Sequence, residues 1–417
     1  MNSASELCHR RTDCRLCGGT SLSLVLKLEP TPPANAFVPG SDLEKRQPRF
    51  PLDVFFCEDC KHVQLLDVVD PRHLFENYVY VSGTSPVFVK HFDDYAQDLC
   101  GRYAPTSGAL AFDIGSNDGT LLKAFKARGL KVLGIDPAIE IAKQAIQAGV
   151  ETIAGFFSRA KAEEIRSKYG PASIVTANNV FAHIDDLGGV ADGIRSLLAP
   201  GGVFAFEVSY LKDVVEKTLF DTIYHEHLDY HSVIPLIGFL KRHGLELIEA
   251  LPVGSHGGSL RGIAQLAQGP WPVGASVASA AQAERAIGLD KADTLRKFAA
   301  DIEAKKRELN QVLKGFKAEG KRIAGFGAPA KATTLMYHFG IGPDLVDFII
   351  DDSPLKQGLY SPGMHIPVLP GSAIAEKKPD ILVILAWNFA KPIIDKNQAF
   401  RDAGGRFVIP LPQVEVV

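Results

Sequence analysis

The sequence predicts an α/β protein in three parts: a small cysteine-bearing module over 1–75, a Rossmann-like domain over 76–270, and, over 271–417, a connector helix and a second Rossmann-like α/β domain. Three observations carry this expectation. The first part is rich in Cys, Pro and turn formers with only short β-like runs. From position 109, strand-length apolar runs alternate with helical stretches, the texture of βαβ units around a parallel sheet. After Gly320 the alternation starts again, and 417 residues exceed what one hydrophobic core organises.

In the N-terminal part, Phe50–Cys57 and His62–Asp67 read as strands, with too little apolar material to build a core unaided. Cys14-Arg-Leu-Cys17 and Cys57-Glu-Asp-Cys60 are two CxxC knuckles. Four thiolates at that spacing close a tetrahedral zinc site with no open position, so the metal is expected to be structural and to supply folding energy. A nucleic-acid ribbon would need surrounding Lys and Arg that this segment lacks. Cys8 and Cys100 have no such partners and read as plain thiols.

The middle part gives strands at Ala109–Ile114, Lys131–Ile135, Ser173–Ala177 and Val203–Val208, with helices at Ile139–Ala148 and Leu187–Leu198. Leu245–Leu251 and Leu260–Leu266 flank a Gly-rich turn and read as an antiparallel pair ending the sheet. Between Asp290 and Glu319, Leu295, Phe298, Ile302, Leu309, Leu313 and Phe316 recur at helical spacing and predict one long amphipathic connector. Strands at Lys321–Phe326, Leu345–Ile350 and Asp380–Ala386 then open the last domain.

Composition narrows the function. A formal net charge of -3 without a basic run disfavours nucleic acid as a partner. No apolar stretch approaches bilayer length, and Met1–Leu16 lacks a secretory core, so a cytoplasmic enzyme with no membrane partner is expected.

Asp113-Ile-Gly115-Ser-Asn117-Asp118-Gly119 follows a strand and opens a helix, which makes it a nucleotide-cofactor loop. Asp136 closes the next strand, where a carboxylate can accept hydrogen bonds from ribose hydroxyls. These features alone admit a dinucleotide or S-adenosylmethionine. The acidic residue two before the first glycine and the polar turn suit the cationic amino-acid end of S-adenosylmethionine better than phosphate. Phe156 and Phe157 lie where the third strand should end and either flank an adenine ring or pack in the core. Asn178 and Asn179 end the fourth strand, at the sheet edge where ligands bind.

Tyr224-His225-Glu226-His227 crowds a phenol, a carboxylate and two imidazoles into one turn. Removing a proton beside a ketone needs a base titrating near working pH, which histidine offers, and a tyrosine hydroxyl can stabilise the resulting enolate. His225, His227 and His231 could instead share a metal, although the spacing is not H-E-x-x-H. Farther on, Gly325-Phe-Gly327-Ala-Pro-Ala-Lys331 follows a strand and precedes a helix, with Asp351 and Asp352 ending the next strand.

The paired knuckles, the Asp113 loop and the Gly-Ala-Pro-Ala-Lys motif, in that order, resemble the family of deoxysugar C-methyltransferases typified by the tetronitrose 3-C-methyltransferase, over nearly the full length. The resemblance implies a class I methyltransferase domain, S-adenosylmethionine as donor, structural zinc, and methylation at C3 of a nucleotide-linked 4-keto-6-deoxysugar, with dTDP the expected nucleotide. It implies His227 as general base with Tyr224 and Glu226 beside it. His183 and one of Tyr78 and Tyr80 are implied as further active-site groups, and His256 and Gly257 as a loop bordering the sugar. A histidine at position 225 departs from the family pattern. Lys331 is expected to hold the nucleotide diphosphate. The competing function is an NAD-dependent nucleotide-sugar oxidoreductase or epimerase, against which no Tyr-x-x-x-Lys pair is found. A monomer or homodimer fits either reading.

Overall fold

The computed structural model describes residues 7–76, 83, 86–103 and 105–417. Tyr78 and Tyr80 lie outside the described residues, and His256 is placed by its backbone alone. The N-terminal part carries β1 (Cys8–Arg10), β2 (Leu22–Thr31), β3 (Phe50–Cys57), β4 (Val63–Leu65) and β5 (Asp67–Val69).

The middle part supplies β6 (Leu110–Ile114), β7 (Lys131–Asp136), β8 (Thr152–Ala154), β9 (Ala172–Asn178), β10 (Leu198–Ser209), β11 (Asp229–Tyr230), β12 (Leu245–Val253) and β13 (Ser259–Leu266). Its sheet runs β12-β13-β10-β9-β6-β7-β8, parallel from β10 to β8, with β13 antiparallel to both β10 and β12. The apolar run of β6 is buried at every position, as expected of a strand covered by helices on both faces. Helix Leu187–Leu197 starts where the Asp186 carboxylate accepts the Gly189 N–H at 2.9 Å, and it buries Val190, Ala191, Ile194 and Leu197 at helical spacing. Strand order reverses between β6 and β9, so a crevice opens at their carboxyl ends.

The last sheet is β16 (Val368–Leu369), β15 (Ile349–Ile350), β14 (Ile323–Phe326), β17 (Ile381–Ile384), β18 (Arg406–Ile409) and β19 (Glu415–Val416), in that spatial order. Helix Ala292–Ala318 joins the two α/β parts and buries Leu295, Phe298, Ile302, Leu309, Leu313 and Phe316, the stripe its sequence predicts. Each such side chain contributes about 1.5–3 kcal/mol on burial. Among the described residues no helix is long and apolar enough to cross a membrane.

The small module does not stand apart. Its four-stranded sheet, β11-β4-β3-β2, borrows β11 from the middle part, with Tyr230 opposite Val63. Leu28, Leu52 and Phe56 share one core with the long helix and with Leu335 and Phe339 of the last domain. This solves the shortage of apolar residues: the sheet's inner face is covered by other parts of the chain.

Candidate active site

Cys14, Cys17, Cys57 and Cys60 converge so that their sulfurs all lie within 4.8 Å of one another, with 3.6 Å between Cys14 and Cys60 and 3.5 Å between Cys17 and Cys57. Tetrahedral zinc with bonds near 2.3 Å separates its sulfurs by about 3.8 Å, so this spacing fits the ion and not a disulfide. Each knuckle turns through a left-handed residue, Gly18 at φ 71° and Lys61 at φ 71°, which folds the Gly18 and Lys61 amides back to the Cys14 and Cys57 carbonyls at 2.8 Å. Without metal the thiols compete. A hydrogen bond from Cys60 draws the Cys14 thiol down to about 4, and burial pushes Cys57 up to about 11. A dication that takes four thiolates removes that conflict.

At the crevice, Gly115 sits at φ 67° with a Val180 methyl 2.3 Å from where a Cβ would stand, so only glycine fits. Asp136 tightens the same loop: its two oxygens accept the Asn117 and Ala138 amides at 2.8 Å each. A carboxylate has about four lone-pair sites, so hydroxyl donors can still be accommodated. Asp113 is buried and accepts the Thr176 hydroxyl at 2.6 Å, and burial pushes its carboxyl up to about 7. Asp118 accepts from the Thr120 hydroxyl at 2.7 Å and the Gly83 amide at 3.2 Å, which fixes the start of helix Thr120–Ala127. Phe156 is 41% exposed beyond β8, whereas Phe157 packs inward, 5.6 Å from the Phe112 ring. At the end of β9 the Asn178 amide is buried, and among the described residues neither of its polar atoms has a partner. Asn179 turns at φ 54° with its N–H on the Glu207 carbonyl. Buried acid, a cradle that excludes a Cβ and an orphaned amide together fit a polar, cationic nucleoside such as S-adenosylmethionine.

The Tyr224–His227 turn is stitched to the carboxyl end of β9, because the Leu228 and Asp229 amides both donate to the Ala182 carbonyl, at 2.9 and 3.1 Å. His227 Nδ1 lies 2.7 Å from the Thr222 carbonyl. Such a bond requires the proton on Nδ1 and leaves the lone pair on Nε2. The Tyr224 and His183 rings stand 4.1 and 4.9 Å from the His227 ring, and Phe75 stacks on His183 at 5.7 Å. Burial, then the charge His227 can carry, hold His183 well below the usual histidine range, so it stays neutral beside His227. Glu226 is buried and accepts from the Asn35 amide at 2.9 Å, which ties the turn to the N-terminal module.

His225 and His231 point elsewhere. His225 Nε2 reaches the Phe50 carbonyl at 3.1 Å and His231 Nε2 the Phe181 carbonyl at 3.3 Å; both are buried, which draws each down to about 4. Among the described residues the group able to hold a metal is the four cysteines.

In the last domain Gly327 turns at φ 89°, and the Asp351 carboxylate accepts the Ala328 amide at 2.6 Å. The Lys331 ammonium lies 3.7 Å from Asp221 and 4.1 Å from the Trp387 ring centroid. Burial pulls Lys331 down and Asp221 pulls it back up. Gly257 lies in a single turn at φ 93°, its carbonyl taking the Lys217 ammonium at 2.9 Å. Asp221 and Trp387 gave no signal in sequence, since 166 residues separate them.

Three family models match in chain order: one described as "Putative zinc binding domain" over 14–75, "Methyltransferase domain" over 91–250, and "C-methyltransferase C-terminal domain" over 254–412. The C-methyltransferase NovU of Streptomyces niveus is 36% identical over 406 residues, covering 97% of this chain and 96% of that one. A ubiquinone biosynthesis O-methyltransferase of Xylella fastidiosa is 26% identical over 162 residues, 36% of this chain and 66% of that one. Among solved structures, an S-adenosylmethionine-dependent methyltransferase from Clostridium acetobutylicum aligns with a TM-score of 0.35 at 14% identity, over 43% of this chain and 92% of that one.

Proposed function

This chain belongs to the C-methyltransferase family of NovU and is a methyltransferase with S-adenosylmethionine and zinc as its cofactors, and from that premise we propose that it methylates C3 of a nucleotide-linked 4-keto-6-deoxysugar, with dTDP as the nucleotide. The observation that carries the reading is the His227 tautomer, set by the Thr222 carbonyl at 2.7 Å, with Tyr224 against the same ring.

His227 Nε2 takes the proton from C3, and the electron pair left behind is delocalised onto the ketone oxygen as an enolate. The Tyr224 hydroxyl donates to that oxygen. S-adenosylmethionine, when bound, would supply the methyl group, its methyl–sulfur bond breaking with the electron pair left on sulfur as the enolate carbon forms the new C–C bond and the ketone is restored. Neutral His183 walls the base and adds no repulsion when His227 is protonated. Asp113 faces the donor's cationic end and Asp136 its ribose, with Gly115, Asn117 and Asp118 shaping the loop; Phe156, Asn178 and Asn179 border the nucleoside, while Phe157 packs behind them against Phe112. Lys331 and Gly257 stand on the sugar-nucleotide side, and the family resemblance assigns His256 and one of Tyr78 and Tyr80 to the same substrate. The zinc holds β3 and the knuckles and takes no part in methyl transfer.

The test is methyl transfer from labelled donor across a panel of nucleotide 4-keto-6-deoxysugars, with the product carbon located by NMR. Label at C3 supports the reading. Label at another atom, or nicotinamide released from the heated protein, contradicts it.

A further inference from the structure

The carbonyl that sets the base's tautomer is itself held by the last domain. Phe220 stacks on Phe339 with ring centroids 5.0 Å apart. Asp221 is fully buried and accepts the Trp387 indole N–H at 2.6 Å, with the Lys331 ammonium 3.7 Å from the same oxygen. Thr334, on helix Ala330–Phe339, donates its hydroxyl to the Ile223 carbonyl at 2.7 Å. Residues 220, 221 and 223 are therefore each fixed to the last domain, and Thr222 between them presents its carbonyl to His227.

A carboxylate buried at a seam between domains is poor value as a stabiliser, because desolvation offsets most of the attraction; setting one register is the better-attested use of such groups. Resting on the reading of His227 as base, we propose that Thr334 and Trp387 are positioning residues for methyl transfer. They clamp the Phe220–Ile223 segment so that the Thr222 carbonyl keeps His227 protonated on Nδ1. The last domain then acts on the chemical step as well as on the substrate's nucleotide.

Thr334→Val removes the hydroxyl with little change of shape, and Trp387→Phe removes the indole N–H. Either should lower kcat, and in step the rate at which the sugar exchanges its C3 proton with D2O, by roughly 10-fold, within the range that small misplacements of a catalytic group produce. For Thr334→Val the KM for the nucleotide sugar and the Kd for S-adenosylmethionine should stay unchanged; Trp387→Phe, whose ring centroid lies 4.1 Å from the Lys331 ammonium, is read by kcat and exchange alone. The acid limb of the kcat–pH profile should move to lower pH, because the imidazolium loses its carbonyl acceptor. Thr334→Ser should restore both rates. Trp387→Phe supplies the same test from the second anchor should Thr334→Val not fold. Unchanged kcat and exchange in either folded variant overturns the proposal, as does a loss confined to KM, which would make the helix a binding element only. Failure of the base assignment shows separately, as normal exchange by His227→Asn.

Discussion

The loops Asp113–Gly119 and Gly325–Lys331 use the same backbone device in different charge settings. Each follows a central strand, turns through a left-handed glycine (Gly115 at φ 67°, Gly327 at φ 89°) and leads into a helix. In each, a carboxylate at the end of the neighbouring strand accepts a loop amide: Asp136 takes Asn117 at 2.8 Å, and Asp351 takes Ala328 at 2.6 Å. The difference lies in the remaining charges. The first loop adds a second carboxylate, Asp113, buried behind the turn. The second adds two lysines, each with a carboxylate near it: Lys331 at the helix start, 3.7 Å from Asp221, and Lys356, which feels Asp351 and whose ammonium donates to the Ala328 carbonyl at 2.6 Å. A turn of this kind admits a nucleotide-like ligand, but the sign of the charges around it selects which one. On the reading proposed above, the first loop meets the cationic donor and the second the diphosphate.

The bluntest way to break this comparison is to remove what both loops lean on. The zinc module shares one core with the last domain and, through Cys14, Leu16 and Cys57, a second with the middle sheet. Structural zinc is worth about 10–16 kcal/mol to its fold, on the scale of a whole domain's stability. Cys57→Ser should therefore lose zinc by elemental analysis, along with the cooperative melting transition and both ligands. Retained fold and zinc with lost chemistry alone would refute the structural role.

The next perturbations separate the loops. Gly115→Ala forces a Cβ against Val180 at a φ that L-residues avoid, and should weaken S-adenosylmethionine by roughly 100-fold in calorimetry while leaving nucleotide-sugar affinity intact. Gly327→Ala, which would place a Cβ 2.5 Å from that of Ala386, should do the reverse. Equal losses of both ligands in either variant would show that the loops are not separate sites. Asp136→Ala strands the Asn117 and Ala138 amides and should weaken the donor by roughly 10-fold, from unmet hydrogen bonds of about 1–3 kcal/mol.

The smallest effect is pH-dependent. Asp113, pushed up to about 7 by burial, is neutral below that pH and an anion above it. A cationic ligand favours the anion, so donor affinity should rise a few-fold as pH increases through about 7 and then level off. Asp113→Asn should flatten that rise, and a rise that persists in the variant would assign it to another group.

Much of the fold was legible because it rests on local periodicity. The connector's apolar stripe and the CxxC spacing each lie within one segment, and the structure places all ten of those side chains as the pattern requires. What was not legible depends on distant residues. His225 reads like its neighbour His227 in sequence, yet its ring turns to Phe50, 175 residues away. Lys331 reads as a phosphate ligand, and no local pattern announces Asp221 beside it. The pairing of β11 with β4 fixes the Tyr224–His227 turn to the zinc module, but two residues of strand carry no periodic signal.

The most direct measurement is deuterium uptake at C3 of the nucleotide sugar, read by mass spectrometry in D2O with S-adenosylhomocysteine and no methyl donor. The wild-type enzyme should exchange that proton, and His227→Asn, which keeps the shape but loses the base, should slow exchange and methylation together by roughly 100-fold or more. Normal exchange by His227→Asn, with exchange lost in His183→Asn instead, would contradict the assignment of His227 as the base.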